Sequence, residues 1–453
     1  MRKLVFAIII FSFIAMAKEP VDASLIAEKF VRTALREQKA YQWLRELTSI
    51  GRRLAGSENS AKAVRWAKEK MEQLGFDRVY LQPVEVPRWE RGNVEKAVII
   101  SPENLKGREL SIAALGGSVG TPEEGITAEV IEVKNFEEFK EKAPQVRGKI
   151  VFFNVPMDQG EINTFKAYGE AVRYRWAGAM EGAKAGAKAV IIRSITTRYD
   201  NVPHTGMMGY DTKIRKIPAV SIGLKDADFL NNALKKYPHL KITLKLNCRQ
   251  LPPSRSYNVI GEIRGLQHPE EVIVVGGHLD SWDKGEGAHD DGAGVVQSIE
   301  AVELFKRIGI RPERTLRVVL FMNEEYGLSG AKVYGEYVSR ASEKHIAAIE
   351  SDRGGFTPRG FTVKAEDTVF KEIKSWLPVL QKCRIDWIRK GGGGADISRI
   401  KAKALIGYFP DDQRYFDFHH SANDVFEAVN PRELELGSAA IATLLYLISS
   451  QGL

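Results

Sequence analysis

Three apolar runs in the chain each end in residues that can bind a metal ion. His278 follows the first run, Glu324 and Glu325 follow the second, and Asp352 follows the third. A single histidine after a strand is more often structural, and a pair of glutamates is usually a solvated surface. Because open α/β sheets place ligands beyond the carboxyl ends of their strands, the coincidence of three such ends favours one shared metal site.

The segment 276–294 adds donors and indicates half of a two-metal site, with His420 among the residues of the other half. Zinc binds imidazole nitrogen and carboxylate oxygen, and a catalytic zinc site keeps one position open for water. Five protein ligands over two ions, with one carboxylate shared, satisfy that requirement. Two ions about 3.5 to 4 Å apart can activate water and polarise a scissile carbonyl. The pattern therefore predicts a metal-dependent peptidase.

Neighbouring side chains in this pattern can divide the chemical roles. Asp280 lies two residues after His278, so on an extended segment both face the same way, and Asp280 is predicted to accept the second imidazole N–H. Of Glu324 and Glu325, one can bind metal while the other takes a proton from water and passes it to the leaving amine. The residues alone do not say which glutamate has which role.

Length and composition indicate a protein with a large core, and the N-terminal segment indicates export from the cytoplasm. The chain has 453 residues, 44% of them hydrophobic, which predicts a large core and two domains. Residues 1–17 combine a basic start with an apolar stretch and a small-residue site, so they are predicted to be a signal peptide cleaved before Lys18. An uncleaved membrane anchor is the alternative. Cleavage predicts a secreted or extracytoplasmic protein without stable membrane insertion.

Charge and cysteine content narrow the expected partners. Loss of Arg2 and Lys3 lowers the formal net charge from +8 to +6, and no dense basic block with interleaved aromatic residues occurs elsewhere. Nucleic acid is therefore not expected as a partner. Cys248 and Cys383 can form one disulfide in an oxidising compartment or remain two buried thiols, and both alternatives stay open.

Hydrophobic spacing predicts the elements that position these residues. Residues 21–75 have a helical pattern, and 79–87 alternate as a strand. From residue 258, near-continuous apolar strands alternate with a helix over 292–309, which suits a sheet covered on both faces. Between roughly 100 and 250, short β runs and a helix predict an inserted domain. The predicted fold class is α/β, with a mixed, mostly parallel sheet flanked by helices and a β/α insertion.

In its ordered motifs the chain resembles the co-catalytic zinc exopeptidases of the aminopeptidase and glutamate carboxypeptidase type. The resemblance extends over nearly the whole mature chain. Each motif alone is weak, whereas their order is highly specific. The motifs lie at residues 56–57, 86–92, 278–294, 314–317, 324–325, 350–352, 395–397 and 419–421.

The resemblance implies a role for each site residue. Glu324 is expected to be the general base, and the last histidine of the family pattern matches His420 because Ser421 and Asp424 follow it. His419 then takes the place of a group that stabilises the tetrahedral oxyanion. The implied ligands of two Zn²⁺ ions are His278 and Asp352 on one ion, Glu325 and His420 on the other, and Asp290 as the bridge.

Two further features follow from the same resemblance. The family joins the pair that matches Asp290 and Asp291 by a cis peptide bond. The insertion resembles a protease-associated domain, which assigns residues 18–99 and 251–453 to a zinc peptidase domain and 100–250 to the insertion. A role of this insertion in gating substrate and a role as a plain stabilising unit are both open.

The leading hypothesis is a secreted dizinc exopeptidase that removes the unblocked N-terminal residue from dipeptides or short peptides. Its alternatives are a carboxypeptidase with the same site, a single-zinc glutaminyl cyclase and a non-catalytic binding protein. The ligand set does not determine polarity, because it activates only water. Asp396 or an acidic residue of the insertion is a candidate to hold the substrate ammonium. A homodimer is a further expectation.

Overall fold

The computed structural model describes residues 22–453, so the predicted signal peptide at 1–17 lies outside the described residues. Two eight-stranded sheets organise this part of the chain. The strands are β1 (Arg78–Glu90), β2 (Glu95–Ser101), β3 (Glu109–Leu110), β4 (Ile112–Ala114), β5 (Ile126–Val133), β6 (Ile150–Phe153), β7 (Ala189–Arg193), β8 (Ala219–Ile222), β9 (Lys241–Leu246), β10 (Arg249–Ile263), β11 (His268–His278), β12 (Arg314–Phe321), β13 (Lys344–Glu350), β14 (Pro358–Ala365), β15 (Trp387–Lys390) and β16 (Ala404–Pro410).

Helices cover both sheets. They are α1 (Ala23–Glu37), α2 (Lys39–Ser49), α3 (Glu58–Gln73), α4 (Phe136–Val146), α5 (Thr164–Lys184), α6 (Leu224–Lys236), α7 (Ala293–Arg307), α8 (Ser329–Arg340), α9 (Asp367–Ser375), α10 (Leu377–Leu380) and α11 (Pro431–Gln451). The predicted strand at 79–87 and the predicted helix at 292–309 are confirmed by β1 and α7, because period-two and period-3.6 patterns are local properties.

The first sheet has the order β1-β10-β12-β11-β13-β16-β14-β15. Its four central strands, from β12 to β16, are parallel, and antiparallel pairs join β10 to β12 and β16 to β14. The fold is therefore the mixed α/β sheet that the sequence predicted. The parallel centre is the part that carries the candidate site, since parallel strands end at a common edge.

The apolar strands at this centre bury both faces. In β11, Ile273 and Val275 pack into the core that contains α7 and α11, while Val272 and Val274 pack into a second core with α8. Successive side chains of a strand point to opposite faces, so a strand with helices on both faces must be apolar at every position. This explains the near-continuous apolar runs.

The second sheet lies entirely within residues 95–246 and has the order β3-β2-β9-β5-β6-β7-β8-β4. Its middle strands, from β5 to β8, are parallel. Helix α6 packs on one face with Leu230 in its core, and α4 and α5 pack on the other face with Phe139 and Tyr174. This unit corresponds to the β/α insertion expected between roughly 100 and 250.

The apolar helix α11 belongs to the core. It is the one helix among residues 22–453 that is long and apolar enough to cross a bilayer, yet 78% of its most apolar window is buried inside the protein. Leu434, Leu444 and Ile448 are fully buried there. A helix that is apolar on all sides and covered by its own protein is typical of a core element.

Both cysteines are buried free thiols. Cys248 lies in a core of the second sheet, whereas Cys383 lies in the core of the first sheet with its Sγ 3.1 Å from Thr443 Oγ1. Burial raises the pKa of Cys248 to about 11 and that of Cys383 to about 12. Of the two alternatives that the sequence left open, the structure selects two unpaired, unreactive thiols.

Candidate metal centre

The three strand ends identified in the sequence are neighbours in space. Strands β12, β11 and β13 are adjacent and parallel, and His278 is the last residue of β11. Glu324 and Glu325 follow β12, and Asp352 follows β13. Their common strand direction brings these four side chains to one rim, as predicted.

Asp290 lies between two histidines that come from opposite ends of the domain. It precedes α7, and its Oδ1 is 3.2 Å from His278 Nε2 while its Oδ2 is 3.3 Å from His420 Nε2. The peptide bond from Asp290 to Asp291 is cis, as the resemblance implies. Each carboxylate oxygen therefore faces a different imidazole, which is the arrangement required of a bridging ligand.

Each histidine has a second carboxylate partner. Asp352 Oδ1 lies 3.5 Å from His278 Nε2, and Glu325 Oε2 lies 2.9 Å from His420 Nε2. In a tetrahedral zinc site with bonds of about 2.0 to 2.1 Å, neighbouring ligand atoms are about 3.3 Å apart. The spacings on both sides of Asp290 fit two such sites.

His419 is close to the same cluster but is less suited to bind a metal. Its ring stacks on His420 with centroids 3.5 Å apart, and its Nε2 is 3.8 Å from Asp290 Oδ2. Donor atoms of His419, Asp290 and His420 nevertheless lie within 4.8 Å of one another. Glu325 is better suited than His419 to be the third donor on this side, because its 2.9 Å contact with His420 is shorter than the 3.8 Å from His419 to Asp290 and because a carboxylate balances more charge.

The protonation of the cluster also fits cation binding. Burial, reinforced by Asp290, raises the pKa of the Glu325 carboxyl well above its ordinary value, and burial lowers that of His420 well below it. Asp290 Oδ2, Glu325 Oε1 and Asp352 Oδ1 are buried without a hydrogen-bond partner among residues 22–453. Neutral imidazole and unsatisfied carboxylate oxygens gain from a divalent cation, which replaces the lost hydration. The donor set therefore fits two such ions.

Buried acids beside the ligands hold the backbone of this site. Asp291 accepts hydrogen bonds from the amides of His278 and Gly294, both at 3.0 Å. Asp424 accepts from the amides of His289 at 2.7 Å and Asp290 at 3.1 Å. An added Cβ at Gly294 would lie within 2.5 Å of the Asp291 carboxylate. Glycine in this motif thus makes room for a carboxylate that fixes the loop.

Asp280 acts differently from the prediction that its carboxylate accepts the second imidazole N–H of His278. The backbone oxygen of Asp280 is 3.0 Å from His278 Nδ1, whereas its carboxylate is 3.9 Å away. Asp280 Oδ1 instead accepts from the amides of Asn323 at 2.7 Å and Glu324 at 3.1 Å. The chain turns directly after β11, so the carbonyl reaches the ring first and the carboxylate meets the amides that follow β12.

Sequence reasoning missed Arg53, which fixes the loop before Asp290. Its buried guanidinium donates to the carbonyl oxygens of Leu279 at 3.0 Å, Glu286 at 2.5 Å and Gly287 at 2.9 Å. In the sequence, Arg53 is separated from these three residues by between 226 and 234 positions. Arg53 lies in the connection between α2 and α3, where it has no spacing pattern that predicts such a role.

A cavity of about 490 Å³ opens beside the cluster and contains Glu324 and His419 in its wall. Helix α5 of the second sheet forms one side. That helix contributes Phe165, Tyr168, Val172, Arg175 and Trp176. Helix α5, which packs on the second sheet, therefore forms one wall beside the site of the first sheet.

The proposed ammonium ligands do not line this cavity. Asp396 is 1% exposed, and burial together with Glu350 raises its pKa well above the ordinary value. The amides of its neighbours Ala395 and Ile397 donate hydrogen bonds to the Glu350 carboxylate. These bonds hold Asp396 in the protein interior, behind the residues that line the cavity. Residues 95–246 contribute no acidic side chain to the lining, so that candidate also fails.

Comparison with known proteins agrees with the geometry. The profile of peptidase family M28 matches residues 258–445. Carboxypeptidase Q of Xenopus laevis is 40% identical over 406 residues, which cover 88% of this chain and 83% of that protein. A crystal structure of a peptidase M28 precursor from Shewanella amazonensis SB2B is 36% identical with a TM-score of 0.89, covering 94% and 96% of the two chains. A zinc aminopeptidase from Bacillus subtilis, at 22% identity and a TM-score of 0.63 over 90% and 94% of the chains, shares the fold.

A mixed sheet with histidine and carboxylate donors at its parallel strand ends, together with these relatives, defines a metallo-exopeptidase. The chain belongs to peptidase family M28. The resemblance stated from the sequence motifs is thereby confirmed.

Proposed function

We propose that this peptidase is a dizinc enzyme that removes the unblocked N-terminal residue from dipeptides and short peptides. The position of Asp290 carries the proposal, because its two oxygens face His278 and His420 separately. His278 and Asp352 would hold one ion, Glu325 and His420 the other, and Asp290 both. When bound, the ions supply Lewis acidity toward water and toward the scissile carbonyl.

Glu324 is suited to be the general base. Its side chain lines the cavity, and its amide is fixed by Asp280. Burial, opposed by His278 and reinforced by Asp352, raises the pKa of Glu324. A carboxylate of increased basicity can take the proton of the attacking water at Oε and return it to the leaving amine nitrogen. This assigns different roles to the two adjacent glutamates.

His419 is suited to stabilise the oxyanion. Burial lowers its pKa to about 3, so the ring is neutral and carries one N–H. The ring lines the cavity beside His420. A neutral imidazole in this position can donate to the carbonyl oxygen as negative charge develops during attack.

Substitution separates the roles of the two adjacent histidines. His420→Ala should lose one zinc equivalent, because the His420 ring lies 2.9 Å from Glu325 and 3.3 Å from Asp290 and would be a ligand of that ion. His419→Ala should keep both ions and lower kcat by roughly 10²- to 10³-fold, as removal of one oxyanion donor does. Metal analysis and steady-state kinetics on both variants check this, and the opposite pattern would exchange the two assignments.

The cavity limits the size of the substrate. Helix α5 forms one side, and the volume of about 490 Å³ has room for a few residues of peptide. Folded proteins cannot bring a peptide bond to Glu324 without displacing this helix. The proposal of short peptides as substrates therefore rests on the wall that the second sheet provides.

Two cations favour a second candidate, recognition of the C-terminus. Lys332 and Arg399 line the cavity, and neither forms an ion pair with a carboxylate in the described part of the chain. Both are exposed at the rim. A substrate carboxylate would find charge complementarity there, which suits a carboxypeptidase and also a dipeptidase that binds both termini.

Blocked dipeptides test polarity. We expect rapid hydrolysis of a free dipeptide and little hydrolysis of its N-acetyl form, because the scissile bond follows the first residue. The C-terminal amide should be cleaved with a higher KM if Lys332 and Arg399 bind the carboxylate. Mass spectrometry of the products decides: hydrolysis of the N-acetyl form combined with failure on the amide would establish a carboxypeptidase.

The remaining alternatives differ in metal content and product. A glutaminyl cyclase would need one zinc ion, and a binding protein would release no amino acid. Asp290 and the four donors around it complete the five-ligand set, which supports the dizinc enzyme. Location outside the cytoplasm rests on the predicted signal peptide at residues 1–17, and the homodimer stays a prediction.

A further inference from the structure

The loop that carries His419 and His420 is held by the domain of the second sheet. His204, in the segment after β7, has its ring Nδ1 2.7 Å from the carbonyl oxygen of His419. The amide of Thr205 donates to the carbonyl oxygen of His420 at 2.9 Å. Both peptide units of the histidine pair therefore have their oxygens bound by residues from outside the first sheet.

His204 is the donor in its hydrogen bond with the carbonyl oxygen of His419. Burial lowers the pKa of His204 to about 4, so the ring is neutral at physiological pH. A carbonyl oxygen only accepts hydrogen bonds, so Nδ1 must carry the proton and donate it to His419. His204 is 3% exposed, and its ring Nε2 has no hydrogen-bond partner among residues 22–453. Within those residues, the bond to His419 is therefore the one hydrogen bond of this ring.

His420 needs such support because of its backbone. Its φ is 59°, in the left-handed region that residues with a Cβ adopt rarely. Strained backbone persists only where the surrounding structure determines it. The bonds from His204 and Thr205 fix the peptide units on both sides of the His420 Cα atom.

The backbone of Gly206 packs closely against the His420 ring. Its φ is 133°, and an added Cβ would lie 2.7 Å from His420 Nδ1 and would also meet the Arg175 guanidinium. Arg175 in turn donates to the carbonyl oxygens of Thr205 and Met207, both at 3.3 Å. The His420 ring therefore rests directly on the backbone of this segment.

We propose that the segment His204-Thr205-Gly206 positions His420, so that the second half of the metal site is complete only with the inserted domain. The inference rests on the proposed function, because it requires His420 to bind an ion. His204 is a positioning residue that acts through the backbone of the histidine pair. The insertion is then a structural part of the metal centre as well as a wall of the cavity.

Two substitutions of His204 in the full-length enzyme test this. His204→Asn places an amide N–H close to the position of Nδ1 and should keep the bond, whereas His204→Ala removes it. Zinc stoichiometry and chelator competition are the measurements. We expect two equivalents for wild type and His204→Asn. In His204→Ala the second ion should bind about 10- to 100-fold more weakly, the usual effect of losing a residue that orients a ligand.

The zinc-binding results distinguish failure of this inference from failure of the proposed dizinc function. Wild type with two ions and His204→Ala with unchanged affinity for both would overturn the inference alone. Wild type with fewer than two ions would overturn the dizinc proposal and the inference with it. Circular dichroism establishes that each variant is folded.

A glycine pair gives a second test that does not depend on His204. Gly206→Ala should lose the second ion because its methyl group meets the His420 ring. Gly148→Ala is the control, since Gly148 has a φ of 79° and an added Cβ there has no atom within 4 Å. It should keep both ions. Two ions of wild-type affinity in Gly206→Ala would contradict the proposal.

Discussion

Replacing Asp290 with alanine should remove both zinc ions together and abolish peptidase activity. Its two oxygens lie 3.2 and 3.3 Å from His278 and His420, so the substitution would take one ligand from each of the two proposed ions. It also removes the negative charge shared by the two buried donor pairs, which are His278 with Asp352 and Glu325 with His420. The loss of activity should exceed the roughly 10²- to 10⁴-fold effect of removing a general base.

Metal analysis and kinetics on the same preparation check this result. Asp290→Asn is the companion variant, because it keeps the shape of the side chain and removes its charge. Asp226→Asn is the control: this residue is similarly buried, 5% exposed, but lies in helix α6 on the second sheet, and its substitution should leave both ions bound. Two tightly held ions in Asp290→Ala would show that Asp290 is not the bridge.

Glu324→Gln should keep both ions and lower kcat by about 10²- to 10⁴-fold. The amide has nearly the shape of the carboxylate but cannot take a proton from water. Asp280 should still hold the backbone of residue 324, since that contact involves only the amide nitrogen. The defect is therefore expected in the rate of the chemical step rather than in folding or in metal content.

The adjacent glutamate supplies the matched control. Glu325→Gln is the same change one position later, at a side chain 2.9 Å from His420. It should lower zinc content and activity together, whereas Glu324→Gln lowers activity alone. Near-normal turnover of Glu324→Gln with both metals bound would remove Glu324 from the role of base.

The sequence determined the fold class and the rim on which the chemistry takes place. His278, the Glu324 and Glu325 pair, and Asp352 each follow an apolar run, and the polar residue after a strand is a local property. Parallel strands end at a common edge, so local patterns sufficed to predict that these side chains meet. The motif resemblance added the choice of His420 over His419 as a ligand and the cis bond after Asp290, which the spacing of residues alone did not indicate.

Only the tertiary structure decided which contacts each of these side chains makes. Asp280 binds amides rather than the His278 ring because the chain turns after β11, and no pattern of residues records the direction of that turn. Asp396 has the residue type for binding ammonium, but burial behind the wall removes it from the cavity.

The contacts that hold the site join residues far apart in the chain. His204 binds the carbonyl of His419 across 215 positions, and Arg53 binds that of Gly287 across 234. The sequence determined which residues can bind metal, because residue type and strand ends are local. The tertiary structure decided which residues position them, because such contacts depend on the packing of the two sheets and leave no spacing pattern in the sequence.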